Sequence, residues 1–177
     1  MKEFPNITFD LTWRPFQLNP DMPSDGIERK KYLDLKFNGE ENAKKIYDNI
    51  YNAGKEYGIH FQFNKITKTP NSFASHKLLA LAYKYQKQSE VVEALFYEYF
   101  IEGVDIGNFN ELIRISKQHK IFDTSVLNYL KSTDDNENLK NEEQHARHLG
   151  INAVPCFIIN KEFVLMGAQD KKSFSDI

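Results

Sequence analysis

The run Gly150-Ile151-Asn152-Ala153-Val154-Pro155-Cys156-Phe157-Ile158-Ile159-Asn160 constrains this chain more than any other segment. Gly150 can adopt the left-handed backbone that stops a helix. Pro155 has no N–H to give a β-ladder, so it belongs at the opening of a strand rather than inside one. Phe157-Ile158-Ile159 is the short apolar run that a buried strand requires. The segment therefore reads as helix stop, turn, strand. A second apolar run, Phe163 to Leu165, follows Asn160-Lys161-Glu162, and the two are expected to close into a β-hairpin. A helix start is expected after Gly167-Ala168-Gln169.

Upstream, residues Asn6 to Phe16 alternate, with Ile7, Phe9, Leu11 and Trp13 on one side, which predicts a strand ended by Pro15. Pro20, Pro23 and Gly26 mark the following stretch as a loop. From Ile27 to Ile121 apolar residues recur at helical spacing. One helix carries Ala43, Ile46, Tyr47, Ile50, Ala53 and Tyr57 and is closed by Gly58; the next carries Ala74, Leu78, Leu81, Ala82 and Tyr85 behind an Asn71 cap. A third is expected from a Ser89 cap with Val91, Val92, Leu95, Phe96, Tyr99 and Phe100 facing inward, and a fourth from Asn108 with Leu112 and Ile113. Short pieces follow around Val126 to Leu130, then a polar helix from Glu137 to Leu149. This order predicts an α/β fold, a single domain over residues 1–177 in which residues 27–149 form a mostly α-helical insertion.

With 177 residues the chain can bury roughly 70% of the surface its unfolded form exposes, so its core needs neither disulfide nor metal. Its 23 basic and 25 acidic residues give a net charge of −2, which argues against nucleic acid or an anionic membrane surface as partner. The first residues hold no apolar signal core and no window is long enough to span a bilayer, so a cytoplasmic location is expected. The one cysteine excludes an internal disulfide.

Three stretches in order, Trp13-Arg14-Pro15-Phe16-Gln17-Leu18-Asn19-Pro20, Pro70-Asn71-Ser72-Phe73-Ala74-Ser75-His76-Lys77-Leu78, and Gly150 through Gln169, resemble the FrnE-type branch of the DsbA-like thioredoxin family. That family is related to 2-hydroxychromene-2-carboxylate isomerase and kappa-class glutathione transferases. The resemblance implies a thioredoxin-like fold and protein thiol–disulfide oxidoreductase activity. In the family a Cys-Pro-Trp-Cys motif at a helix N-terminus precedes the strand that Ile7 to Phe16 resembles. A thiolate there attacks a substrate disulfide and the second thiol resolves the mixed disulfide. This chain has only Cys156. The expectation is thus a fragment or an inactive copy, its first strand and helix missing, with no catalytic residue of its own.

The resemblance further implies that the Val154-Pro155 bond is cis and that the backbone of Val154 pairs with an extended peptide or with glutathione as an added strand. It places His76 along the ligand groove. Gln169 falls in the loop where glutathione-using relatives hold the γ-glutamyl end, with Ala168-Gln169 here in place of their Ser-Asp pair. Arg14 either clamps a substrate carboxylate or points to solvent. Val154, Pro155, His76, Arg14 and Gln169 are the expected substrate-binding residues.

Strand alternation buries Cys156 as an inert thiol in this reading. Trp13 and Phe16 serve the core, or stack on a ligand. His145 and His148 lack a third ligand at suitable spacing, so no metal is expected. Glutathione is the one small molecule considered; the remaining partners are protein or peptide thiols and disulfides, and a second copy of the chain as homodimer. Two further functions stand beside dithiol exchange: a glutathione-dependent isomerase or transferase, and a non-catalytic remnant that binds peptides.

Overall fold

The computed structural model describes residues 7–121 and 125–175. In chain order the elements are β1 (Ile27–Glu28), α1 (Arg29–Phe37), α2 (Glu40–Glu56), β2 (Lys68–Thr69), α3 (Phe73–Lys84), α4 (Gln88–Phe100), α5 (Phe109–Gln118), α6 (Val126–Lys131), α7 (Asn136–His148), β3 (Cys156–Ile159), β4 (Phe163–Met166) and α8 (Lys171–Ser175). β1 and β2 form a minimal antiparallel ladder, Ile27 opposite Thr69. β3 and β4 pair antiparallel, Cys156 opposite Met166 and Ile159 opposite Phe163.

The residues divide into two compact units. One takes in the chain up to Trp13 together with Asp21–Asp135; the other takes in Arg14–Pro20 and the chain from Asn136 onward.

The first unit is helical, and its core is built by the apolar stripes read from the sequence. Leu78, Leu81 and Ala82 of α3 meet Val91 and Leu95 of α4, Leu112 and Ile115 of α5, Ile121, and Val126 and Leu130 of α6. Each is at most 6% exposed, and burying a side chain of this size contributes about 1.5–3 kcal/mol relative to leaving it in water. Asn108 caps α5, its Oδ1 accepting from the Asn110 N–H at 2.8 Å. Asn71 lies one residue ahead of the α3 cap position, and its Oδ1 accepts from the Phe73 N–H at 2.9 Å.

Three expectations are corrected. No strand forms over residues 7–16, and Asn6 lies outside the described residues. Ile7, Phe9 and Leu11 are 49–55% exposed; a strand exists only when a neighbour takes up its N–H and C=O groups, and among the described residues no strand pairs with this segment. Phe96 is 56% exposed rather than inward-facing, because Val91, Val92 and Leu95 already fill the buried side of α4. Ser89 is not the α4 cap: the helix begins at Gln88, and the Ser89 hydroxyl accepts from the Trp13 indole N–H at 3.2 Å.

In the second unit α7 ends where Gly150 takes φ +83°. The Ile151 N–H then reaches back to the Ala146 carbonyl at 3.1 Å and the Gly150 N–H to Arg147 at 2.9 Å, the paired closure of a glycine-capped helix. Asn160 and Lys161, both with positive φ, turn the chain from β3 into β4.

Candidate functional site

The Gly150 stop delivers the chain to Val154-Pro155, whose peptide bond is cis. Both residues are exposed, Val154 at 44%. The Pro155 carbonyl accepts the Gly167 N–H at 2.8 Å, so the end of β4 holds the entry to β3 in place. Beyond it β3 is paired on one edge by β4, and among the described residues no strand takes its other edge.

The ladder register sorts the side chains. Cys156 opposes Met166 and Ile158 opposes Val164, so these four share one face. Ile158, Val164 and Met166 are 51%, 56% and 39% exposed, and Cys156 is half-buried among them. On the other face Phe157 meets Phe174 of α8 edge-on, ring centres 5.0 Å apart. Neither strand carries a charged side chain. The arrangement offers main-chain hydrogen bonds and an apolar surface.

The other expected site residues divide between the two units. Arg14, Val154, Pro155 and Gln169 belong to one, His76 to the other. Arg14 forms an ion pair with Glu142 of α7 at 3.2 Å, with its side chain 71% exposed. A substrate carboxylate would have to displace Glu142. Gln169 donates from Nε2 to the Met166 carbonyl at 2.6 Å and so ties its own turn. His76 lies in the first turns of α3, with Nε2 3.4 Å from the Ser72 hydroxyl.

The residue that sequence reading missed in this unit is Arg147. Its guanidinium lies 4.5 Å from the centre of the Phe16 ring, donates to the Gln17 carbonyl at 2.6 Å and to Glu143 at 2.7 Å. Glu143 is buried, 7% exposed. The i, i+4 Glu143–Arg147 spacing was a visible signal; the reach to Phe16 and Gln17 was not. Elsewhere a cavity of about 560 Å³ between α3 and α6 is lined by Lys84, Tyr85, Asn128, Tyr129 and Asp134 among others. Lys84 there is engaged by Asp135 at 2.9 Å. Among the described residues no helix is long and apolar enough to cross a membrane, and no three His, Cys, Asp or Glu residues gather as metal ligands.

The model of the DSBA-like thioredoxin domain matches residues 2–177. No curated protein matches the chain. Among solved structures, the chain is similar to that of a probable DsbA oxidoreductase from Streptomyces coelicolor, with a TM-score of 0.83 and 20% sequence identity, over 92% of this chain and 71% of that one. That likeness is one of fold. A helical unit, a hairpin entered through Val154-Pro155, and a family match that runs nearly end to end together place this chain in the DsbA-like thioredoxin domain family, with a thioredoxin-like fold that carries a large helical insertion.

Proposed function

We propose that this polypeptide serves as the substrate-holding part of a protein thiol–disulfide oxidoreductase of the FrnE type, and that by itself it binds extended peptide without dithiol exchange. One observation carries the reading: the exposed Val154-Pro155 step leads directly into β3, whose second edge has no partner strand among the described residues. An extended peptide laid there gains main-chain hydrogen bonds from the edge, and the apolar face of Ile158, Val164 and Met166 selects apolar side chains. Family membership supports the thiol–disulfide context. The sole cysteine, half-buried and without a second thiol, supports binding in place of exchange. Gln169 turned into its own loop gives no support to a glutathione-dependent transferase.

The test is fluorescence anisotropy with a labelled, extended apolar peptide, alongside a dithiothreitol-driven insulin reduction assay. Saturable peptide binding that weakens about tenfold in Ile158→Glu is expected, a loss of roughly 1.4 kcal/mol, with insulin reduced only at the uncatalysed rate. Absence of peptide binding, or insulin reduction above that rate, overturns the proposal.

A further inference from the structure

Helix α2 is 17 residues long, yet only Ala43 and Gly54 are buried. These two and Tyr47 form its inner side: Tyr47 meets the Phe37 and Phe63 rings at 6.0 and 4.7 Å, and a Cβ on Gly54 would lie 2.5 Å from the Phe61 ring. Beside that inner side runs a second apolar stripe. Ile46 is 40% exposed, Ile50 42%, Ala53 exposed, and Tyr57, just past the helix end, 76%. Spaced four, three and four residues apart, they fall within about 60° around the helix axis. This is the spacing with which one helix meets another, and among the described residues it stays exposed while Ala43 and Gly54 are buried.

We propose that this stripe is the contact between two copies of the chain, with α2 packed antiparallel against α2 of a second copy. Charge selects that occupant and that direction. Lys45 and Glu56, both exposed, flank the same side of the stripe about three turns apart. Neither has an ion-pair partner among the described residues. A two-fold axis between Ile50 and Ala53 sets Ile50 of one copy on Ala53 of the other and Ile46 on Tyr57. The same axis brings Lys45 of each copy within side-chain reach of Glu56 of the other. In a parallel pair the two-fold axis runs along the helices and leaves the Lys45–Glu56 flanks of the two copies on opposite sides of the contact, so neither lysine would meet a glutamate. The antiparallel contact closes on itself, so it ends at a dimer, and the opposed helix dipoles favour it further. One helix per copy makes a small interface, so association is expected to be reversible and concentration-dependent.

Sedimentation equilibrium of the whole chain over a range of concentrations tests this. A monomer–dimer equilibrium is expected, with its dissociation constant raised about tenfold or more in Ile50→Glu while the far-ultraviolet circular dichroism is unchanged. Lys45→Glu alone should weaken the dimer several-fold, and Lys45→Glu combined with Glu56→Lys should restore it. A monomer throughout, a dimer indifferent to Ile50→Glu, or a double charge reversal that fails to restore association each overturns the proposal. None of these outcomes bears on peptide binding at β3.

Discussion

Gln88 pairs with both backbone polar groups of Trp13. Its Nε2 donates to the Trp13 carbonyl at 3.0 Å and its Oε1 accepts from the Trp13 N–H at 2.9 Å. A carboxamide has the same donor–acceptor pair as a peptide group, so the first turn of α4 does for one residue what a neighbouring strand would do for a whole segment. Gln88 is buried, 9% exposed. The Trp13 indole, bonded to the Ser89 hydroxyl, adds a second tie to the same turn.

Replacing Gln88 by Leu is therefore expected to cost about 1–3 kcal/mol, because it leaves the partly buried Trp13 N–H and carbonyl without their partner. Urea denaturation followed by Trp13 fluorescence measures it directly, since this is the chain's one tryptophan. An unchanged midpoint would show that water replaces the amide at no cost.

Lys77 lies 1% exposed in α3, with Nζ donating to the Ser132 carbonyl at 2.7 Å and standing 4.9 Å from the Tyr129 ring centre. Burial holds its ammonium below the ordinary 10.5, against the opposing pull of Asp134 and Asp135. Between the lowered value and 10.5 the unfolded chain keeps a proton that the folded chain has released. Stability due to this group therefore rises with pH through that window and is least favourable below it. Lys77→Met abolishes the titration, so the stability of the native chain relative to the variant should increase from pH 7 toward pH 10.5. A difference that stays constant across that range refutes the assignment.

Arg147 joins α7 to the segment 14–20 through Phe16, Gln17 and the buried carboxylate of Glu143. Arg147→Ala should cost about 3 kcal/mol, since it strands a buried carboxylate as well as removing the contacts. Arg147→Lys should recover only part of this, because an ammonium cannot reproduce the planar fork that serves Gln17 and Glu143 while stacking on Phe16. Amide hydrogen exchange over residues 16–19 is the sensitive readout: faster exchange is expected in both variants. Full recovery by lysine would reduce the role of Arg147 to charge alone.

At Gly54 two effects of opposite sign meet. Alanine is favoured over glycine inside a helix by about 1 kcal/mol, but its Cβ would come within 2.5 and 2.8 Å of the Phe61 ring and 3.1 Å of the Ile59 carbonyl. Phe61 is itself stacked on Phe63, centres 5.0 Å apart, so the ring has little room to yield, and overpacking of this kind costs about 1–3 kcal/mol. Gly54→Ala is expected to lower the denaturation midpoint, with an altered near-ultraviolet circular dichroism from the displaced rings. A stabilised variant would mean that Phe61 moves freely.

Much of the fold was legible in the sequence where the causes are local. Gly150 at positive φ, the Asn108 cap, the turn at Asn160-Lys161 and the inner stripes of α3, α4 and α5 all rest on residues within a few positions of one another. Their residue types determine backbone angle, cap or periodicity directly. The helix stop and strand entry around Val154-Pro155 were legible for the same reason, and together with the stretches 13–20 and 70–78 they carried the family resemblance.

What the sequence by itself determined, then, is helices α2 to α7, the hairpin and the entry to β3; α1 and the short β1–β2 ladder were not read from it. Tertiary structure alone decided that the alternating residues 7–16 form no strand, that Lys77 and Arg29 are buried while Phe96 and Ile50 are exposed, and that Arg14 is engaged by Glu142. Each of these depends on which distant groups compete for one surface or one hydrogen bond. Trp13 and Gln88 are 75 residues apart, Gln17 and Arg147 130. Periodicity says which face of an element is apolar; only the packed molecule settles whether a neighbour arrives to cover it.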